Sequence, residues 1–168
     1  IDKIHLLRGE LPEEVQDLED GIEGLKTRIA NLQKELKDSE AYIAQRKQDI
    51  VTASALVEKY EQQRNNVKNN REYDSLTKEI EYQNLEVELA QKHIKDTTKQ
   101  IADKKDVLAA ANKDLEEREI DLVGKKQELE TIIAETQIEE AQLVKESEEL
   151  QSQLEVRILN AYKKVSSN

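Results

Sequence analysis

Apolar residues recur at alternating steps of three and four along most of this chain. From Ile4 through Leu11, Val15, Leu18, Ile22, Leu25, Ile29, Leu32, Leu36, Ile43, Ile50, Ala53, Val57 and Tyr60 to Val67 the steps never lose phase, and Arg8, Ser39, Arg46 and Arg64 fill the remaining heptad positions. A second series begins at Tyr73 and runs through Leu76, Ile80, Val87, Ile94, Ile101, Leu108, Leu115, Leu122 and Leu129 to Ile132. It is strong at every seventh residue and weak between, at Gln83, Ala90, Thr97, Lys104, Ala111, Arg118 and Lys125. Each series predicts one long amphipathic helix.

The stretch VKNNREYDSL, residues 67–76, separates the two series. Asparagine tolerates the left-handed conformation that ends a helix, and Asn69 with Glu72 three residues on makes a capping box for the next one. The expected fold is therefore all-α, a long antiparallel coiled-coil hairpin. Helix one covers about 1–67, the turn 68–71, and helix two about 72–164. Pro12, three residues after Gly9, has no N–H to donate to the Arg8 carbonyl, so a kink or short break is expected at 9–12.

Facing residues in an antiparallel hairpin have numbers that add to a constant. If Val67 faces Tyr73 that constant is 140, and every seam position on one helix meets a seam position on the other. The pairs are complementary in size: Ile50 meets Ala90, Ala53 meets Val87, Ile29 meets Ala111, Leu36 meets Lys104 and Arg46 meets Ile94, while Leu32 with Leu108 and Leu18 with Leu122 are wholly apolar layers. Leu11 is expected to face Leu129. The same register places Ile1 opposite Glu139, so residues 140–168 have no partner, although Leu143, Leu150, Leu154, Ile158 and Val165 continue an apolar stripe over roughly 43 Å of helix. Either a segment upstream of Ile1 or another chain is expected to cover it. Disorder is expected only from VSSN, residues 165–168.

Composition narrows the function. With 38% charged residues, four Gly, one Pro and no Trp, Phe, Met or Cys, the 168-residue chain cannot build an ordinary globular core. A chain without Met that starts in mid-pattern reads as an internal fragment of a longer protein. The absence of Cys excludes a disulfide or a thiolate zinc site among these residues. No apolar run is long enough to span a membrane, and a cytoplasmic protein is expected. A net charge of -11 disfavours nucleic-acid binding, which needs clustered Lys and Arg.

Catalytic chemistry finds no footing in the sequence. His5 and His93 are the two histidines; in the 140 register His93 lies opposite Lys47, roughly 63 Å along the helix from His5, so they share neither a metal nor a dyad. Each is expected to be an exposed helix-surface residue. There is no Gly-rich phosphate loop or nucleophile motif. The chain is expected not to be an enzyme, and to need no cofactor.

The turn stands apart in charge. Residues 58–79 hold five acidic and five basic side chains, whereas residues 10–40 hold ten acidic and four basic, so a neutral tip caps an acidic stem. Asn69, Asn70, Arg71 and Tyr73 are the candidate partner-binding residues there, because Arg and Tyr are enriched at interface hot spots. The plainer reading is that Tyr60 and Tyr73 close the seam and Arg71 is solvated. AYKK, residues 161–164, is a second, modestly basic contact site or simply the end of a stalk.

RGELP (8–12), NNREYDSLTKEIE (69–81) and RILNAY (157–162) resemble bacterial coiled-coil proteins that end in a four-cysteine, C4-type zinc ribbon, in the form found in Bacteroides-like bacteria. The resemblance spans nearly the whole chain; its most specific part is the asparagine pair with Glu72, Tyr73, Leu76 and Glu79. It implies a further N-terminal helical stretch, a ribbon after Asn168, and a role as a partner of the alternative sigma factor sigma-54 or of flagellar and secretion components. RNA binding is implied only through the ribbon, and zinc only if the ribbon is present. Without cysteine, neither carries over to these residues. The expected function is a non-enzymatic protein–protein interaction scaffold linked to transcription or secretion. The alternatives are a structural spacer or oligomerisation stalk, and nucleic-acid binding through the ribbon.

Overall fold

The computed structural model describes the backbone of residues 2–166 and the side chains of residues 9–166. It is an all-α helical hairpin of two helices, α1 (Asp2–Asn66) and α2 (Asn70–Ser166). His5, Ile4 and Arg8 have side chains outside the described set, as do all of Ser167 and Asn168, so expectations that rest on those groups lie outside the described residues.

The chain divides into two compact units, residues 23–116 and residues 1–22 with 117–168. In the first, Leu25, Ile29 and Ala111 form a buried cluster against which Leu108 and Leu115 pack. Leu25 with Leu115 and Ile29 with Ala111 are the pairs expected from the 140 register. Leu36, Ala53, Ile80, Ala90 and Ile101 are also buried, all of them seam positions. Burying a Leu or Ile side chain contributes ~1.5–3 kcal/mol, so these layers hold the unit together.

Among the described residues no large side chain is completely buried. Two helices cover a seam from two sides and leave its edges open. That geometry explains why charged residues are tolerated in the seam: Arg46, Lys104 and Lys125 each keep 32% of the side chain exposed and reach Asp49, Glu35 and Glu14 at 3.2, 3.8 and 2.9 Å. Their stems lie along the apolar layer while their charged ends reach the open edge, where each meets a carboxylate.

In the other unit Leu11, Val15 and Ile22 are buried and Leu18, Leu122, Leu129 and Ile132 are half-buried. Lys125, which the 140 register sets opposite Val15, donates to the adjoining Glu14 at 2.9 Å. That hydrogen bond and the Glu14 charge push the Lys125 pKa up. The buried row extends to Thr136, whose hydroxyl donates to the Ile132 carbonyl at 2.7 Å and so enters the seam satisfied. Every described residue from Gln137 onward is exposed.

Of the two forms expected at 9–12, the short break is excluded, because α1 runs through Pro12 as one helix. A proline costs one backbone hydrogen bond, that of the Arg8 carbonyl, and burial of Leu11 and Val15 on either side holds the turn in place. The loop is 67–69 rather than 68–71, and α2 starts at Asn70 rather than 72. No residue of the turn adopts a left-handed conformation. Asn69 works through its side chain instead, as described next.

Candidate functional site: the turn and the adjoining helix faces

At the turn, the Val67 N–H donates to the Arg64 carbonyl at 3.4 Å and closes the last turn of α1. Asn69 then caps α2. Its Oδ1 accepts from the Arg71 N–H at 2.8 Å, and its carbonyl accepts the Tyr73 N–H at 3.0 Å, the first bond of the helical ladder. Glu72 places a negative charge in the first turn, where the helix dipole favours it. The asparagine pair thus divides into a structural member, Asn69, and an exposed one, Asn70.

Tyr73, read both as a tip anchor and as the residue that closes the seam, is 46% exposed. Its ring is covered by the Arg64 guanidinium, 5.3 Å from the centroid. Arg64 also donates through Nη1 to the Thr77 hydroxyl at 3.3 Å, and Thr77 in turn donates to the Tyr73 carbonyl at 3.0 Å. Arg64 therefore clasps the start of α2 from the end of α1, a cation–π contact of ~0.5–1 kcal/mol at an exposed site. Its Nε is buried with no hydrogen-bond partner. Arg71 is exposed. Of the four tip candidates, Asn69 holds the turn, Tyr73 is half engaged by Arg64, and Asn70 and Arg71 face solvent.

A second cluster lies within residues 23–116. The Tyr42 hydroxyl and His93 Nδ1 are 2.6 Å apart, and the Arg46 guanidinium lies 4.9 Å from the centre of the Tyr42 ring. Arg46 Nε sits 3.2 Å from the Asp49 carboxylate, close enough for an ion pair but not directed as a hydrogen bond. His93 is thus half-buried and partnered, not the exposed residue expected. The signal was present in the sequence, because Tyr42 and His93 each immediately precede a seam isoleucine. Seam arithmetic alone ignored such flanking positions. The cluster cross-links the two helices, and Asp38, Ser39, Asp96 and Thr97 line the shallow groove around Tyr42 and His93.

Beside it runs an apolar face that the seam does not use. Tyr82, Leu85 and Leu89 are 57%, 62% and 50% exposed and stand at i, i+3 and i+7 on α2. Tyr82 and Leu89 line one groove with Arg46, Asp49, Ala53 and His93. The small side chains of Ala53 and Ala90 leave that groove open. At the tip, Gln63, Val67, Glu72 and Leu76 line a second groove. The spacing of Tyr82, Leu85 and Leu89 was legible as a second helical stripe, overlooked because the stronger seam absorbed the period.

Leu143, Leu150, Leu154, Ile158 and Val165 are all exposed, by 58–77%. Among the described residues there is no group of three or more His, Cys, Asp or Glu placed to hold a metal ion, and no helix long and apolar enough to cross a membrane. The geometry defines an all-α helical hairpin with partly exposed apolar faces. Comparison with protein-family models, with curated proteins and with solved structures finds no match to this chain.

Proposed function

We propose that the chain is a non-enzymatic scaffold for protein–protein interaction, working in the bacterial cytoplasm. One observation carries this reading: Tyr82, Leu85 and Leu89 expose an apolar face outside the seam, beside a groove with Arg46 and Asp49 at its edge. A stem that needed only to hold its shape gains nothing from three large apolar groups in water, whereas interfaces combine such groups with a polar rim. The tip residues Asn70, Arg71 and Tyr73 are the second surface such a scaffold presents. The resemblance of 69–81 to the zinc-ribbon coiled-coil proteins makes purified sigma-54 the first partner to try, and flagellar or secretion components the next.

The test is binding of purified sigma-54, and retention of proteins from a bacterial extract, on the immobilised chain and two variants. Leu85→Glu is expected to lose the specific partner at least tenfold, since a buried unpaired charge at an interface core costs more than ~1.4 kcal/mol. A chain changed at both Arg71 and Tyr73 to Ala is expected to retain it. The reverse result moves the partner to the tip. If neither variant alters what is bound, the scaffold reading fails.

A further inference from the structure

The longest uncovered apolar surface is the stripe on residues 143–165 of α2, and its residue order identifies its occupant. Leu143, Ser147, Leu150, Leu154, Ile158, Ala161 and Val165 are separated by steps of 4, 3, 4, 4, 3 and 4. The series reads the same from either end. All seven residues are exposed, and no charged residue interrupts the strip. A helix that buries no face is marginal, because most helical stability in proteins comes from packing.

We propose that a second copy of this chain occupies the stripe, antiparallel, with paired residue numbers adding to 308. Leu143 then meets Val165, Ser147 meets Ala161, Leu150 meets Ile158, and Leu154 meets its own counterpart on the two-fold axis. Large meets large in three layers and small meets small in the fourth, so the pairing is isologous and closed. The two successive steps of four fall at the axis itself, where a stutter is shared symmetrically by both helices.

Charge selects the same arrangement. Residues 139–149 hold five Glu and one Lys, whereas residues 155–164 hold Arg157, Lys163 and Lys164 against the single Glu155. Antiparallel pairing lays the acidic end of one copy along the basic end of the other; parallel pairing would stack five Glu on five Glu. On one edge of the seam Glu146 comes opposite Lys164 and Gln153 opposite Arg157. On the other edge Val144 comes opposite Tyr162, which explains why these two apolar residues, 58% and 75% exposed, stand just outside the stripe. This pairing is independent of the partner reading above, and it is tested on the purified chain alone.

The chain contains no cysteine, so single cysteines report the register without interference. Leu154→Cys is expected to form a disulfide-linked dimer under mild oxidation, because the pairing sets the two residues 154 side by side. Leu150→Cys alone and Ile158→Cys alone are expected to cross-link about tenfold more slowly, and in an equimolar mixture of the two roughly half of the dimers, the mixed ones, are expected to cross-link as fast as Leu154→Cys, since disulfide formation tolerates little separation. In sedimentation equilibrium the unmodified chain is expected to be a dimer that Leu150→Asp converts to monomer with its helical circular dichroism retained. Equal cross-linking by all three single cysteines would mean parallel pairing and overturn the proposal. So would a dimer in which Leu154→Cys fails to cross-link, or an unmodified chain that stays monomeric at concentrations up to ~100 µM.

Discussion

Residues 23–116 and residues 137–166 carry the same kind of apolar heptad and treat it in opposite ways. In the first, Leu25, Ile29 and Ala111 keep 7–9% of their surface, because each layer finds a complement on the other helix of the same chain. In the second, Leu150 keeps 66% and Ile158 62%. Spacing decides which side chains share a face; a complementary partner decides whether that face leaves water. The stems also differ in how they solve size. The buried seam mixes wholly apolar layers such as Leu25 with Leu115 and layers that oppose a large residue to a small one, such as Ile29 with Ala111, and the unequal layers need two different segments. The exposed stripe is complementary to its own reverse.

The sharpest way to break this comparison is the same kind of deletion in both regions. Ile29→Ala removes apolar volume from the cluster with Leu25 and Ala111 and is expected to cost ~2–5 kcal/mol of stability, read as a lower midpoint in thermal or denaturant unfolding followed by circular dichroism. Leu150→Ala, measured dilute enough for the chain to be monomeric, is expected to stay within ~0.5 kcal/mol of the parent. An Ile29→Ala variant as stable as the parent would mean that the seam does not hold the unit.

A smaller effect separates local from tertiary causes at the turn. Asn69→Ala removes the acceptor for the Arg71 N–H and is expected to cost ~1 kcal/mol. Asn70→Ala, one residue on and exposed, is expected to cost nothing measurable or to stabilise slightly, because alanine is the better helix former. Equal losses at the two positions would show that the cap is not what distinguishes them.

The seam was legible because heptads record it twice, once in each helix, and the 140 register ties the two records together. Ile29 with Ala111 and Leu25 with Leu115 needed nothing beyond counting. The turn was legible in place but not in mechanism: poor helix formers marked it, yet Asn69 acts through its side-chain oxygen and not through a left-handed backbone. Pro12 marks a local irregularity, and the seam decides its form: burial of Leu11 and Val15 acts over several turns and keeps the helix whole. The Tyr42–His93–Arg46 cluster and the Tyr82–Leu85–Leu89 face escaped notice for one shared reason. Tyr42, His93, Tyr82, Leu85 and Leu89 lie off the seam, where side-chain length and direction, rather than period, determine what touches what.

The finest distinction concerns two glycines three residues apart, and it sharpens the contrast between a face that packs and one that does not. Neither Gly21 nor Gly24 has a positive φ, so neither needs to be glycine for its backbone, and each carries the propensity cost of glycine in a helix. A β-carbon on Gly24 would meet nothing within 4 Å, so Gly24→Ala is expected to stabilise the chain by ~0.5–1 kcal/mol. On Gly21 the same carbon would stand 3.1 Å from Nη1 of Arg118, whose guanidinium lies across the backbone there. Gly21→Ala must therefore displace the end of a flexible side chain, and its gain is expected to be smaller than that of Gly24→Ala. Matched unfolding curves of the two variants decide the point. Equal stabilisation would mean that Arg118 yields freely and that the glycine is not there to seat it; a loss at position 21 alone would make the Arg118 contact part of what holds residues 1–22 against 117–136.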